Sequence, residues 1–545
     1  MKDIRNLYDA DNRLKIPISS ELSQNKAVLR QLFDKCGDVV QKSFVLERLP
    51  EPVRIHVIYI DGLTDNGMVE DTILKPLTYE WRGTRESVDP GYVEEKGIRS
   101  GDPTGDQCGS RQAQSIWESI LYREAQTVDI TREPSFDQAV AAVLKGDTAI
   151  FVDGYNEALV LSTKKLPLRG ISENDSEAGM RGPKDSFNEG FRQCTALIRR
   201  RIRDAKLKCE QGTIGQRSRT DYALMYLEDV ARPELVQNIR DRIEKYDIDA
   251  IFDSGMAEHL MEEKWYSPFP TFQSTTRPDK VAAGIVEGRV AVVFDNSPEV
   301  ILAPSNFNML LQASDDYYNR WAVGTFARAL RYIAAFLAIA FPGLYIAVTV
   351  YHSEMLPTRL LYAIASARSM VTFPIVVEIL IMEFLFELLR EAGIRLPGPL
   401  GNTIGVVGGL IVGQAAVDAG IVSTIVVIVV ALTAIASFAI PNEEFASVFR
   451  LLKFFIILTS AIFGLYGFLL GLLIVAIHLS ELTSFGVPYM MPVIAGSVDN
   501  MHGKKDFVMR APIKSMVKRP VWARGENRIR LRMKNNDSGQ KKEEH

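Results

Sequence analysis

The 545-residue chain has little of what catalysis or covalent cross-linking requires. Its four cysteines, Cys36, Cys108, Cys194 and Cys209, stand without metal or disulfide spacing, so reduced structural thiols are expected. Six histidines (His56, His259, His352, His478, His502, His545) show no metal-ligand spacing either. There is no Gly-x-Ser-x-Gly elbow and no Walker lysine loop. These absences argue against an enzyme and imply no cofactor and no metal. The opening MKDIRNLYDADNR has no apolar run of seven or more residues, so no secretory signal is expected and the polar half is predicted to stay in the cytoplasm.

Charge is scarce in one place only. Residues 1–320 carry 42 basic and 52 acidic side chains, a net of −10, and the tail from His502 carries 13 and 5, a net of +8. Between them, about 326–479 is apolar, which predicts a helical membrane domain over 321–495. The basic tail, 496–545, follows the last apolar helix. The positive-inside rule places it in the cytoplasm, where it can meet anionic lipid headgroups. Few aromatics interleave its basic residues, which argues against nucleic acid as a partner.

The polar half reads as α/β. After a polar, helical leader (1–50), the β-branched run VRIHVIYI at 53–60 leads into an Asp-Gly turn and a short helix, a β-turn-α unit within a first subdomain over 51–165. Self-comparison is informative. Residues 137–162 align with 279–304 without a gap at an offset of 142, each copy reading as helix, glycine stop (Gly146, Gly288), strand, aspartate turn (Asp153, Asp295) and returning strand. The strand-then-helix order of 53–77 recurs at 221–243. Two related α/β subdomains are therefore expected, the second over 215–320. The connection, 166–214, carries an exposed Gly, Ser, Asn and Asp stretch and a basic amphipathic helix.

In the apolar part, 332–350, 421–440 and 454–479 are each long enough to cross about 30 Å of hydrocarbon, the last with tilt. Pro342-Gly343 predicts a helix break in the first. Two segments are ambiguous: 372–389 carries Glu378, Glu383 and Glu387, and 402–417 is glycine-rich. Glu383, Glu387 and Arg390 share one helical face, a candidate polar lining with Glu378 and Gln414. Arg359 and Arg368 could flank its external mouth. Arg328, Arg331, Arg450, Lys453 and the tail all favour the inside, so four crossings are expected, with one ambiguous segment re-entrant or interfacial.

Several strings carry a resemblance. They are 181–202 (RGPKDSFNEGFRQCTALIRRRI), Phe269-Pro270, 276–279 (TRPD), Leu356-Pro357-Thr358, 387–397 (ELLREAGIRLP) and 413–417 (GQAAV). In these the chain resembles the GerA-type spore germination proteins, the A subunits of nutrient germinant receptors, in order from about 53 to 492. The resemblance implies an inner-membrane subunit of a bacterial endospore, working with a permease-like B subunit and a lipoprotein C subunit. It also implies self-association into a homo-oligomer that helps release ions. The family's Gly-Pro-Arg-Glu is Gly182-Pro183-Lys184-Asp185 here, which loses a planar guanidinium. Arg181, Lys184, Asp185, Arg277 and Asp279 are candidate subunit contacts on this resemblance. The residues alone leave two other readings open: a secondary transporter that binds the nutrient itself, and a membrane-tethered enzyme.

Overall fold

The computed structural model describes residues 8, 14–46, 52–71, 75, 129–165, 177, 181–395, 409, 413–494, 506–520 and 522–531. These fall into an α/β unit (within Met1–Ser176, Lys184–Met261 and Ser274–Leu302) and a helical unit (within Glu177–Pro183, Glu262–Gln273 and Ala303–His545). Cys108 and most of 402–412 lie outside the described residues.

The α/β unit holds two five-stranded sheets with one topology. The first has the order β1-β2-β4-β5-β3, from β1 (Val39–Leu46), β2 (Val53–Ile60), β3 (Ile130–Glu133), β4 (Thr148–Val152) and β5 (Ala158–Leu161). The second repeats it as β6-β7-β9-β10-β8, from β6 (Leu207–Ile214), β7 (Thr220–Leu227), β8 (Gln273–Thr275), β9 (Val290–Phe294) and β10 (Val300–Ala303). The duplication extends to the helices. Helices α1 (Leu22–Leu32) and α2 (Phe136–Val143) of the first copy correspond to α3 (Phe191–Arg201) and α6 (Pro278–Val286) of the second. After β2 the first copy has a helical turn at Asn66–Val69, and after β7 the second has α4 (Pro233–Ile243) and α5 (Ser254–Met261).

Strands β2 and β4 read as apolar runs because both faces are covered. Ile58, Ile60, Ala149 and Phe151 pack with α1 and α2 on one side, while Ile55, Val57, Ile150 and Val152 form a separate core on the other. The paired turn aspartates have the same task in both copies. Asp153 Oδ1 accepts the Leu22 amide at 3.0 Å, and Asp295 Oδ1 accepts the Phe191 amide at 3.4 Å. Each caps a helix whose own N-cap residue, Glu21 or Gly190, offers no side-chain bond.

Four strands of the α/β unit occur where the sequence reading has none: β3 and β8 within the two subdomains, and β1 and β6 outside them. Strand β1 lies in the stretch read as a helical leader, and β6 in the stretch read as a connection. The two copies join there. The Gly37 amide donates to the Cys209 carbonyl at 2.9 Å, and the Cys209 amide to the Lys35 carbonyl at 3.1 Å, so residues 35–37 cover the outer edge of β6. Beside this bridge, buried Arg199 of α3 holds buried Asp38 through Nε and Nη2 at 2.6 and 2.9 Å. Burial pushes the Cys36 and Cys209 thiols up, so both stay protonated.

The helical unit contains α7 (Trp321–Ile346), α8 (Thr358–Ala367), α9 (Ile375–Arg395), α10 (Thr424–Phe438) and α11 (Glu443–Glu481). Among the described residues, two helices are long and apolar enough to cross a membrane by length and composition: Trp321–Tyr351, with a π-helical last turn at Ala347–Tyr351, and Glu443–Glu481. The predicted break at Pro342-Gly343 does not occur, since α7 is continuous through both residues. A Cβ on Gly343 would lie 2.7 Å from Ile456 Cγ2, so this glycine permits close helix contact rather than a break.

The last apolar segment is not one tilted span. Gly464, at φ 59° and ψ −134°, splits α11 into arms 443–463 and 465–481. The arms double back on each other. A Cβ on Gly467 would fall 1.9 Å from the Thr459 carbonyl, and one on Gly471 would fall 2.8 Å from Ile456 Cδ1. Phe445 near the start and His478 near the end both face the Phe269 ring, at centroid distances of 6.2 and 6.0 Å. An unbroken helix would hold those two residues about 50 Å apart. At the hairpin tip, Tyr351 donates to the Ala461 carbonyl at 2.5 Å, and its ring occupies the space a Cβ on Gly464 would need.

Candidate functional site: a charged ladder between apolar helices

Helix α9 is the ambiguous segment that carries three glutamates, and the structure runs it antiparallel to the first arm of the hairpin. Lys453 Nζ donates to Glu383 Oε2 at 2.5 Å, Arg450 Nε lies 3.1 Å from Glu387 Oε1, and Arg390 Nη2 lies 3.5 Å from Glu443 Oε1. The rungs grade from dry to wet. Their carboxylate side chains are 1%, 39% and 72% exposed in that order.

The outermost rung, screened by water, contributes about 0–1 kcal/mol. The innermost is different, because removing one partner of a buried pair costs about 3–5 kcal/mol. Glu383 Oε1 and Arg450 Nη1 are also buried without a hydrogen-bond partner. The ladder is thus strongly coupled inside and incompletely satisfied.

The other candidates are placed elsewhere. Glu378 Oε1 accepts from Arg368 Nε at 3.2 Å, and its Oε2 accepts the Ser423 amide at 2.8 Å at the start of α10. Arg368 is therefore engaged with Glu378 and is not a free charge at a mouth, whereas Arg359 is exposed. Gln414 donates to Asp418 at 3.0 Å and does not join the ladder.

In the α/β unit, Arg277 and Asp279 are buried and bond each other at 3.1 and 3.0 Å, which leaves neither on the surface for another subunit. Asp185 accepts from Arg201 at 2.6 Å, and Lys184 is exposed. Arg181, of the helical unit, is exposed as well.

A second charged cluster, unforeseen in the sequence, closes the base of α7. Fully buried Arg328 meets Asp316 at 3.1 Å and Asp506 at 2.7 Å, and Arg331 meets Asp316 at 2.7 Å. Arg510 donates to the carbonyls of Tyr317 and Asn319, so residues 506–511 of the basic tail are packed against α7. The arginines read as topology signals are therefore neutralised locally.

Comparison with known proteins decides the family. The model of the Bacillus/Clostridium GerA spore germination protein matches residues 27–522. The chain belongs to the GerA spore germination family.

Among curated relatives of this GerA-family chain, spore germination protein KA of Bacillus subtilis (strain 168) is 37% identical over 94% of this chain and 88% of its own length. Spore germination protein A1 of the same organism is 41% identical over 70% and 78%. The crystal structure of the N-terminal domain of the A subunit of the Bacillus megaterium spore germinant receptor GerK3 is 27% identical, at a TM-score of 0.39, covering 54% of this chain and 98% of that one. The identification supports a germinant receptor role. In the GerA-family chain the ladder glutamates are legible from the sequence, whereas their partners Arg450 and Lys453 read there only as inside-facing charge. The signal that could have found them is spacing: 383/387 on α9 and 450/453 on the hairpin each put two charges on one helical face.

Proposed function

We propose that this chain is the A subunit of a nutrient germinant receptor in the inner membrane of a bacterial endospore, with its N-terminal half and its tail in the cytoplasm. It works beside a permease-like B subunit and a lipoprotein C subunit, and several copies assemble around an ion-conducting path. The observation that carries this reading is the ladder between α9 and the first hairpin arm. Charges inside apolar helices are expensive and tend to mark ion pathways or switches. In the paired state Glu383 and Glu387 are neutralised by Lys453 and Arg450. When nutrient binding on the partner permease shifts the helices, the carboxylates are released, and a ring of them from several copies attracts cations.

The test replaces Glu383 and Glu387 by Gln and measures potassium efflux from spores after nutrient addition. Altered efflux at normal protein level is expected, and unchanged efflux discards the role. A second reading, a secondary transporter binding the nutrient directly, is favoured by the irregular backbone at Ala347–Tyr351 and Gly464 within apolar helices. Nutrient binding by the purified chain without its partners would support it.

A further inference from the structure

The segment Glu262–Gln273 belongs to the helical unit, although the chain on both sides of it belongs to the α/β unit. It is fastened to the open end of the hairpin along its length. Lys264 Nζ reaches Glu481 Oε1 at 3.1 Å and the Glu481 carbonyl at 3.3 Å. Ser267 Oγ lies 2.9 Å from His478 Nε2, buried Phe269 stacks on the His478 ring, and Ser484 Oγ donates to the Thr271 carbonyl at 2.7 Å. Two large side chains of this strap stay outside: Trp265 is 83% exposed and Tyr266 60%.

Their position explains the exposure. On the second arm, Leu469, Leu473 and Ile477 form an exposed apolar stripe at helical spacing. His478 follows Ile477, and the Tyr266 ring is 6.4 Å from the His478 ring, with Trp265 edge-on at 6.2 Å from Tyr266. The aromatic pair therefore extends the stripe just past its last residue, where an apolar helix face gives way to polar groups. Tryptophan and tyrosine, each with an apolar body and a polar end, prefer that boundary in a bilayer.

We infer that Glu262–Gln273 is a membrane-interface strap, its Trp265 and Tyr266 seated among phospholipid headgroups and fixing the depth at which the hairpin ends. The inference rests on the reading that the hairpin lies in a bilayer, and the experiment separates the two. The full-length protein is placed in phosphatidylcholine/phosphatidylglycerol nanodiscs carrying a nitroxide either near the headgroup or deep on the acyl chain. The Trp265 signal is the fluorescence difference between wild type and Trp265→Phe. A ring seated about 5–10 Å into the headgroup and acyl boundary should be quenched more by the shallow nitroxide than by the deep one, on the order of twofold. It should also be shielded from aqueous iodide.

An indole introduced by Leu473→Trp in the Trp265→Phe background reports on the stripe. If that indole is quenched by the deep nitroxide while Trp265 answers only to iodide, the strap inference is overturned and the bilayer reading stands. Trp265 would then be a surface for water or a protein partner. If neither indole responds to lipid nitroxides, the bilayer reading itself falls and takes the strap with it.

Discussion

Gly464 is the residue on which the apolar hairpin most directly depends. Its backbone, φ 59° and ψ −134°, lies in a region that residues with a Cβ avoid. Gly464→Ala therefore incurs about 1–3 kcal/mol of backbone strain. Its Cβ would also fall 2.8 Å from the Tyr351 ring, and displacing that ring adds about 1–3 kcal/mol of overpacking. Gly467→Ala should be worse, because the atom it meets at 1.9 Å is a carbonyl oxygen of the facing arm, which cannot swing aside. Gly525→Ala, with nothing within 4 Å, is the control. Thermal unfolding of the purified full chain should show the largest loss for Gly467→Ala, a smaller one for Gly464→Ala and none for Gly525→Ala. Distance gives the decisive measurement. Spin labels at residues 443 and 480 would be about 55 Å apart on an unbroken helix. Packed arms with axes about 8–10 Å apart bring them below about 25 Å, label linkers included. A measured separation near the longer value, or a neutral Gly464→Ala, refutes the hairpin.

Other outcomes follow from the α/β unit. Arg199→Met leaves Asp38 charged and buried, which should cost about 3–5 kcal/mol in denaturant unfolding. A loss under about 1 kcal/mol, the level of a surface pair, would show that the bridge between the copies is not held by this pair. Asp153→Ala and Asp295→Ala should each remove a helix cap worth about 0.5–2 kcal/mol, with Asp153 the larger because its bond is shorter. Equal stability of wild type and both variants counts against the shared capping role. His56 is buried, with its pKa pushed down to about 4, first by burial and then by Lys26 and Arg30. The unfolded chain therefore takes up the proton first, so stability falls as pH drops from about 6.5 and levels off near 4, a loss of about 3 kcal/mol. His56→Phe should flatten stability across that window, and an unchanged pH profile would reject the assignment.

What could be read in advance follows from how locally each feature is encoded. The duplication was legible because glycine stops and turn aspartates recur at a fixed offset, and each has a local backbone reason. Strands β1 and β6 were missed because each ends its sheet's strand order and VVQKSFVL and LKCEQGTI interrupt their apolar residues with polar ones, which leaves the apolar signal weak. The hairpin was hidden because 454–479 is uniformly apolar, and composition does not register one glycine's dihedral angles. Pro342 misled for the opposite reason: a proline removes one amide and strains a turn, but packing by neighbouring helices can keep a helix continuous through it. The glutamates of α9 were visible as charges in an apolar run. Their partners, 70 residues away for Glu383 and Lys453, were not, since pairing is a property of the folded bundle.

The hairpin also constrains how the ladder can respond. Lys453 and Arg450 sit on the first arm, and the strap is fastened to His478 and Glu481 at the end of the second. Between the arms runs a seam in which Gly467 and Gly471 pack directly against Thr459 and Ile456. Closely packed interiors deform little, so a seam with no room for a methyl group resists sliding of one arm along the other. The two arms then move as one body. A displacement imposed where the strap meets the second arm is delivered to Lys453 on the first, and the rung at Glu383, with one carboxylate oxygen already lacking a partner, is the element within reach of that movement whose rearrangement would expose charge.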